Sequence, residues 1–314
     1  MGLPPLVFTP VFVEKVWGGR RIELFSRIPP PGLKIGESWE ISDYAGRRTA
    51  VADGPFAGWT LDTFMRERPA ELLGESKPGA GGIFPLLLKI IDSSERLSLQ
   101  VHPDGATATK MGTADGGKEE AWLVLWPEKG GRIAVGLRAG TGTDDFFEAV
   151  EAGTAEEVVN WVDVARGDFI FVPPGTVHAI DQGLVLMEIQ QTSDSTYRLY
   201  DWGRTEQRPL HRAEGREALR PDVHVTVEGD VLDAPGDRLL GSGDAFEVRS
   251  VAVQGRMQYK SNRSVIAFVL AGGLRFENDF GFVNRNRYGC VLLPAEPAEV
   301  TISGEGGVLL MTAR

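Results

Sequence analysis

Two of the four histidines in this 314-residue chain sit where their spacing could do chemistry. His102 lies in Leu97-Ser-Leu-Gln-Val-His-Pro-Asp104, and His178 closes Pro173-Pro-Gly-Thr-Val-His178. An imidazole can ligate a metal or move a proton near neutral pH. Gln100 and His102 are two apart, so on an extended strand their side chains leave the same face and can converge on one point. The polar outer face of a sheet would show the same alternation. In the second segment Pro173 and Gly175 end one strand and turn tightly into the next, which aims His178. The single cysteine, Cys290, excludes an intramolecular disulfide framework and a cysteine-based zinc finger. A metal here would therefore rest on His, carboxylate or amide donors.

The elements that must position these groups read mainly as β. Short β-branched and aromatic runs broken by Gly and Pro occur at Phe84 to Ile91, Trp122 to Trp126, Asp168 to Val172 and Val265 to Leu270. This pattern points to a sandwich or barrel. Helices are expected over Leu61 to Leu73, over Asp144 to Val162 as two pieces split near Gly153, and over His211 to Leu219. Thr154 and Glu157 have capping-box spacing ahead of Val158, Val159 and Val162. His224 falls in an alternating stretch that reads as a strand, and it and His211 are assigned to structure. Gly167-Asp-Phe-Ile-Phe-Val-Pro173 and Gly289-Cys-Val-Leu-Leu-Pro294 both run from Gly through an apolar strand to Pro, and the second lacks the histidine that follows the first. The echo suggests two related barrels, or two unrelated strands ending at Pro turns. The polar segment Glu228 to Gly243 marks the expected boundary, giving a catalytic unit over 1–230 and a smaller β unit over 231–314.

Gly167, Pro173, Gly175 and His178 together reproduce the second cupin motif. In the first cupin motif two histidines one residue apart precede a glutamate; here Gln100 replaces the first, leaving Gln100, His102 and Glu120. With that variant the chain resembles the type I phosphomannose isomerases of the shorter bacterial sort. The matching blocks are Glu14-Lys-Val-Trp-Gly-Gly19, Ile35-Gly-Glu-Ser-Trp-Glu-Ile-Ser42, Pro85 to Asp92 leading into Leu97 to Asp104, Gly117-Lys-Glu-Glu-Ala-Trp122, Gly167 to Ile180, Met187 to Asp194 and Thr196-Tyr-Arg-Leu-Tyr-Asp-Trp202. They cover the chain to about residue 220 and thin out beyond it.

The resemblance implies a double-stranded β-helix, the cupin jelly roll, and the internal echo suggests a degenerate second cupin-like barrel without a metal site after it. It implies one zinc ion per chain, held by Gln100, His102, Glu120 and His178. It further implies an aldose-ketose isomerase that interconverts mannose 6-phosphate and fructose 6-phosphate through a cis-enediol. Such a reaction needs a cation for the developing enediolate, a proton shuttle and a cationic pocket for phosphate. Lys118, two residues before Glu120, is the candidate cation, Arg198 the arginine near the substrate, and Glu188 the candidate shuttle. Ser98, Lys89 and Arg204 are candidates for phosphate, and Lys15 and Trp17 for the pocket rim, although a Trp beside Gly-Gly equally suits packing against a turn.

Composition bounds the alternatives. A net charge of −11 argues against non-specific nucleic-acid binding, which depends on basic residues. No apolar run reaches the roughly 18 residues needed to cross a bilayer. The opening MGLPPLVFTPVFVEKVWGG shows neither a basic leader nor a cleavage site, so a cytoplasmic monomer or homodimer acting on a small sugar phosphate is expected. Two rivals share the same residues: a ferrous cupin dioxygenase using His102, Glu120 and His178, and a non-catalytic cupin that binds a sugar phosphate.

Overall fold

The computed structural model describes residues 2–204 and 208–314. Two large antiparallel sheets build the N-terminal part, together with a two-stranded one formed by Phe8–Thr9 and Ala50–Val51. The larger runs Val227–Glu228, Phe169–Val172, Glu120–Pro127, Leu184–Gln191, Leu86–Ser93, Ile35–Ile41 and Val11–Gly19. The smaller runs Tyr197–Tyr200, Leu99–Val101, His178–Ile180, Arg132–Leu137 and Val159–Asp163. Their facing sides enclose one core, to which the large sheet gives Ile91, Trp122, Val124, Ile170 and Leu186 and the small one Ile133, Val135 and Ile180. This is the jelly roll expected from the sequence. Burial of two apolar faces against each other is the main stabilising term for such a sandwich.

Each sheet is also covered on its outer face. The small sheet carries the helices Thr143–Ala152 and Arg212–Ala218, whose Phe146, Phe147, Val150 and Ala218 pack on Leu99, Val101, Ala134 and Ala179. The large sheet carries the helices Leu61–Glu67 and Pro69–Leu73 and a third large sheet from the C-terminal part. That third sheet runs Arg238–Ser242, Phe246–Lys260, Glu299–Ala313, Val265–Asn278 and Gly281–Asn286, and Cys290–Leu293 pairs with Val265–Asn278. Period-two alternation makes this layering possible. On Glu120–Pro127, Ala121, Leu123 and Leu125 face the C-terminal sheet, while Trp122 and Val124 face the jelly-roll interior. No helix among the described residues is long and apolar enough to cross a membrane.

Several local expectations change. Leu61 to Leu73 is two helices, because Pro69 cannot continue the first and instead opens the second at its first turn. The helix Thr143–Ala152 stops at Gly153, whose φ of 77° is left-handed. Beyond it only Ala155–Glu157 makes a short 3-10 turn, which the Thr154 side chain does not cap, and Val159–Asp163 is a strand on Arg132–Leu137. The valines that suggested a helical stripe serve opposite faces of that strand, Val159 towards the helices and Val162 towards the inner core. His224 lies in an irregular segment before Val227–Glu228, not in a strand. A helix at Gly105–Met111, capped by the Asp104 side chain accepting from the Thr107 amide at 2.6 Å, went unread.

Candidate metal centre and its cavity

The two sheets bring four donors together. Gln100 and His178 are directly paired across neighbouring strands of the small sheet, and His102 lies just past the end of the Gln100 strand. Glu120 begins a central strand of the opposite sheet. The ligating atoms of His102, Glu120 and His178 lie within 4.8 Å of one another, and all three residues are buried. His178 Nε2 is 3.2 Å from Glu120 Oε1, and His102 Nε2 is 3.4 Å from Glu120 Oε2. The Gln100 amide ends 3.1 Å from His178 Nε2.

What surrounds this cluster decides its chemistry. His102 Nδ1 lies 2.9 Å from the Ser195 carbonyl and His178 Nδ1 2.9 Å from the Thr176 carbonyl. Each Nδ1 therefore carries the proton and donates it, leaving both Nε2 lone pairs aimed inward, as in histidines that bind metals. Burial, reinforced by the neighbouring Lys118 charge, pushes His102 down to about 4, and burial likewise lowers His178. Burial alone would raise Glu120, but the Lys118 ammonium beside it outweighs burial and holds the carboxylate well below its ordinary range. Glu120 Oε1 is buried with no hydrogen-bond donor among the described residues. Two neutral imidazole nitrogens and a carboxylate thus converge as Lewis bases, with the Gln100 side-chain amide beside them, a nitrogen and oxygen donor set that fits a borderline divalent cation such as zinc.

One cavity of about 280 Å³ opens onto the cluster through Gln100 and Lys118. Lys118 is buried, with its ammonium 2.5 Å from Glu120 Oε2 and 3.0 Å from His102 Nε2. Of the other residues singled out from sequence, Lys15, Trp17, Lys89, Ser98, Glu188 and Arg198 also line this cavity. Trp17 is at the same time part of the inter-sheet core. Arg204 is not brought there; it pairs with Asp201 at 2.5 Å, donates to the Arg96 carbonyl, and lines an adjoining hollow. His211 heads its helix and accepts the Arg198 backbone amide at 3.2 Å, a structural use.

Register across the large sheet organises the cavity floor. Trp39, Lys89, Glu188 and Trp122 are paired in one row. The Lys89 ammonium lies 3.2 Å from Glu188 Oε1, 2.6 Å from Gln190 Oε1 and 5.0 Å from the Trp39 ring centroid. Trp122 Nε1 donates to Glu188 Oε2 at 3.0 Å. Burial would lower Lys89, yet the carboxylates of Glu188 and Glu37 raise it above the ordinary lysine value. Glu37 shows the converse, since burial opposes its charge but Lys89 and Lys15 pull it to about 2.

The Arg198 guanidinium is different because no carboxylate among the described residues pairs with it. Its Nη1 donates to the Pro209 carbonyl at 2.8 Å, and its buried Nε has no acceptor among the described residues. Burial and the nearby charge of Arg208 lower it. Sequence reasoning missed Arg208, Glu37, Asp194 and Thr196 at this cavity. Glu37, Asp194 and Thr196 stood inside quoted blocks without being singled out, and Glu37 lies on the strand Ile35–Ile41, which is buried along its whole length. Arg208 lies outside those blocks.

Comparison with known proteins places the chain. A family model described as "Phosphomannose isomerase type I, catalytic domain" matches residues 6–120. The chain is 32% identical over 308 residues to the Bacillus subtilis protein named "Probable mannose-6-phosphate isomerase GmuF", covering 96% of each sequence. It is 36% identical over 235 residues to the mannose-6-phosphate isomerase ManA of the same organism, covering 75% of this chain and 70% of that one. Its fold superposes on the crystal structure of mannose 6-phosphate isomerase from Bacillus subtilis with a TM-score of 0.84 at 28% identity, over 98% of this chain and 99% of the other. With the buried donor cluster and the cavity opening onto it, these likenesses make the chain a member of the type I mannose-6-phosphate isomerase family.

Proposed function

We propose that the chain interconverts mannose 6-phosphate and fructose 6-phosphate at a zinc centre held by Gln100, His102, Glu120 and His178. The observation that carries this reading is the convergence of three buried donors, His102, Glu120 and His178, with the half-buried Gln100 amide beside them, next to a polar cavity that also holds an arginine with no carboxylate partner among the described residues. Bound there, zinc supplies Lewis acidity towards the sugar oxygens at the reacting carbons.

The chain's own residues supply the rest. The open-chain aldose must lose a proton at C2 and gain one at C1, and the hydroxyl proton must move between the two oxygens. Lys118, buried at the boundary between donor cluster and cavity, presents an ammonium to those oxygens and stabilises negative charge as the enediolate develops. Glu188 is the carboxylate for carrying the proton from C2 to C1. Lys89 and Trp122 fix both its oxygens on the cavity floor, so its orientation is set before substrate enters. Arg198, with Arg208 and the Ser98 hydroxyl on the same wall, offers the donor fork an oxyanion requires. Lys15 and Trp17 close the rim. Lys89 acts through Glu188, and Arg204 through Asp201.

In this reading residues 1–230 carry the chemistry, and 231–314 form a degenerate cupin-like unit that lends packing. The net charge of −11 and single cysteine favour a cytoplasmic enzyme acting on free sugar phosphate as a monomer or homodimer, without nucleic acid. The test is a coupled assay for fructose 6-phosphate formed from mannose 6-phosphate, run beside an oxygen electrode. Turnover without oxygen uptake supports the isomerase; oxygen uptake without isomerisation would replace it with ferrous oxygen chemistry.

A further inference from the structure

The strand that delivers Glu120 is also gripped from its other side. Even-numbered Lys118, Glu120, Trp122 and Val124 face the cavity and inner core, whereas odd-numbered Ala121, Leu123 and Leu125 join a core shared with Leu240, Phe246 and Val248 of the C-terminal sheet. Glu119 is the polar member of this odd row. It is 5% exposed and sits between the cavity lysine and the donor carboxylate.

Its carboxylate enters the turn that joins Arg238–Ser242 to Phe246–Lys260. Oε2 accepts from the Asp244 amide at 3.0 Å, and Oε1 from the Ala245 and Phe246 amides at 3.3 and 3.4 Å. Successive backbone amides curled around an anion form a nest. Gly243 permits the approach, since a Cβ there would run into the Glu119 carboxylate. The Glu119 backbone is held as well: its amide donates to Gln191 Oε1 at 2.9 Å, and its carbonyl accepts from the Gln191 amide at 3.0 Å. An apolar side chain would pack in this row equally well but would leave three inward amides unpaired. The carboxylate instead makes directional bonds that fix how far the strand head can slide or rotate.

Resting on the isomerase reading above, we propose that Glu119 is a positioning residue through which the C-terminal sheet, itself outside the cavity, sets the placement of Lys118 and Glu120. The C-terminal sheet is then a brace for the metal centre as well as a cover for the core.

The test compares three variants as full-length protein. Glu119→Gln leaves one acceptor oxygen for three amides and turns an N–H₂ towards donors. Gly243→Ala displaces the turn without altering the catalytic sheet. Leu240→Ala removes apolar contact from the same interface and leaves the nest alone. Zinc affinity is read by competition with a chromophoric chelator, and Tm and steady-state kinetics are measured alongside. Glu119→Gln and Gly243→Ala should each weaken zinc binding by about 10–100-fold, the usual cost of losing a group that orients a ligand. Their kcat should fall while KM for mannose 6-phosphate stays within about twofold. Leu240→Ala should lower Tm and keep zinc affinity and kcat. Wild-type zinc affinity in Glu119→Gln and Gly243→Ala, or affinity falling in all three variants in step with Tm, would overturn the proposal. Zinc affinity is read without turnover, so absence of isomerase activity would strike the functional reading separately.

Discussion

Replacing Glu37 by Gln tests whether the cavity floor is held by charge. Glu37 is buried, with Lys15 at 3.4 Å and the Trp39 indole donating to it at 2.7 Å, and its carboxyl is pulled from an ordinary 4.5 to about 2. Because the folded value lies below the unfolded one, the charged form stabilises the fold above about pH 4.5, and that gain disappears as pH falls towards 2. At 1.36 kcal/mol per unit the shift corresponds to roughly 3 kcal/mol at pH 7, and by the same linkage to between about 1 and 2 kcal/mol at pH 3. Gln keeps an acceptor for Trp39 but gives Lys89 and Lys15 no counter-charge. Urea unfolding of wild type and Glu37→Gln at both pH values reads the difference directly. The variant should be less stable by about 2–3 kcal/mol at pH 7, and the gap should shrink by about half at pH 3. An equal gap at both values would refute the ionic account and leave only shape and hydrogen bonding.

His178→Ala removes a donor whose Nδ1 is already fixed by Thr176, so zinc content and turnover should be lost together; metal analysis showing full zinc in an inactive variant would contradict this. Arg198 is the cross-strand neighbour of Gln100 but hydrogen-bonds to none of the four donors among the described residues. Arg198→Ala should retain zinc while kcat/KM falls by roughly 10–100-fold, the range for losing charge-assisted hydrogen bonds to an oxyanion. An unaffected Arg198→Ala enzyme would remove that residue from the site.

How much of this was legible in the sequence depended on whether function follows from local spacing or from register. Gln100, His102 and His178 stood out because strand alternation and the Pro173 to Gly175 turn set their directions within a few residues, whereas Glu120 and the set as a whole came from the family resemblance. The cavity floor was not, since Lys89 and Glu188 are 99 residues apart and meet only because the strands Leu86–Ser93 and Leu184–Gln191 pair in one particular register. Arg204 and Arg208 show the limit from another side. Both are arginines near Asp201 and both bond to it, but only Arg208 reaches the cavity, a choice made by backbone path rather than residue type. The strand Val159–Asp163 was misread because Val159 and Val162, three apart, fit a helical stripe, whereas in the strand they serve opposite faces, both of them covered, and pairing with Arg132–Leu137 decides the outcome. Glu119 carried no signal of its own, because its partners are backbone amides more than a hundred residues away.

The central claim is that the four-donor cluster carries the isomerisation through one bound zinc ion. Stripping the enzyme with a chelator and titrating zinc back, while following fructose 6-phosphate formation, tests it most directly. Turnover should vanish on stripping and return in proportion to added zinc, saturating at one equivalent per chain. Full turnover in the stripped protein, or recovery that ignores zinc and follows another stoichiometry, would contradict the account.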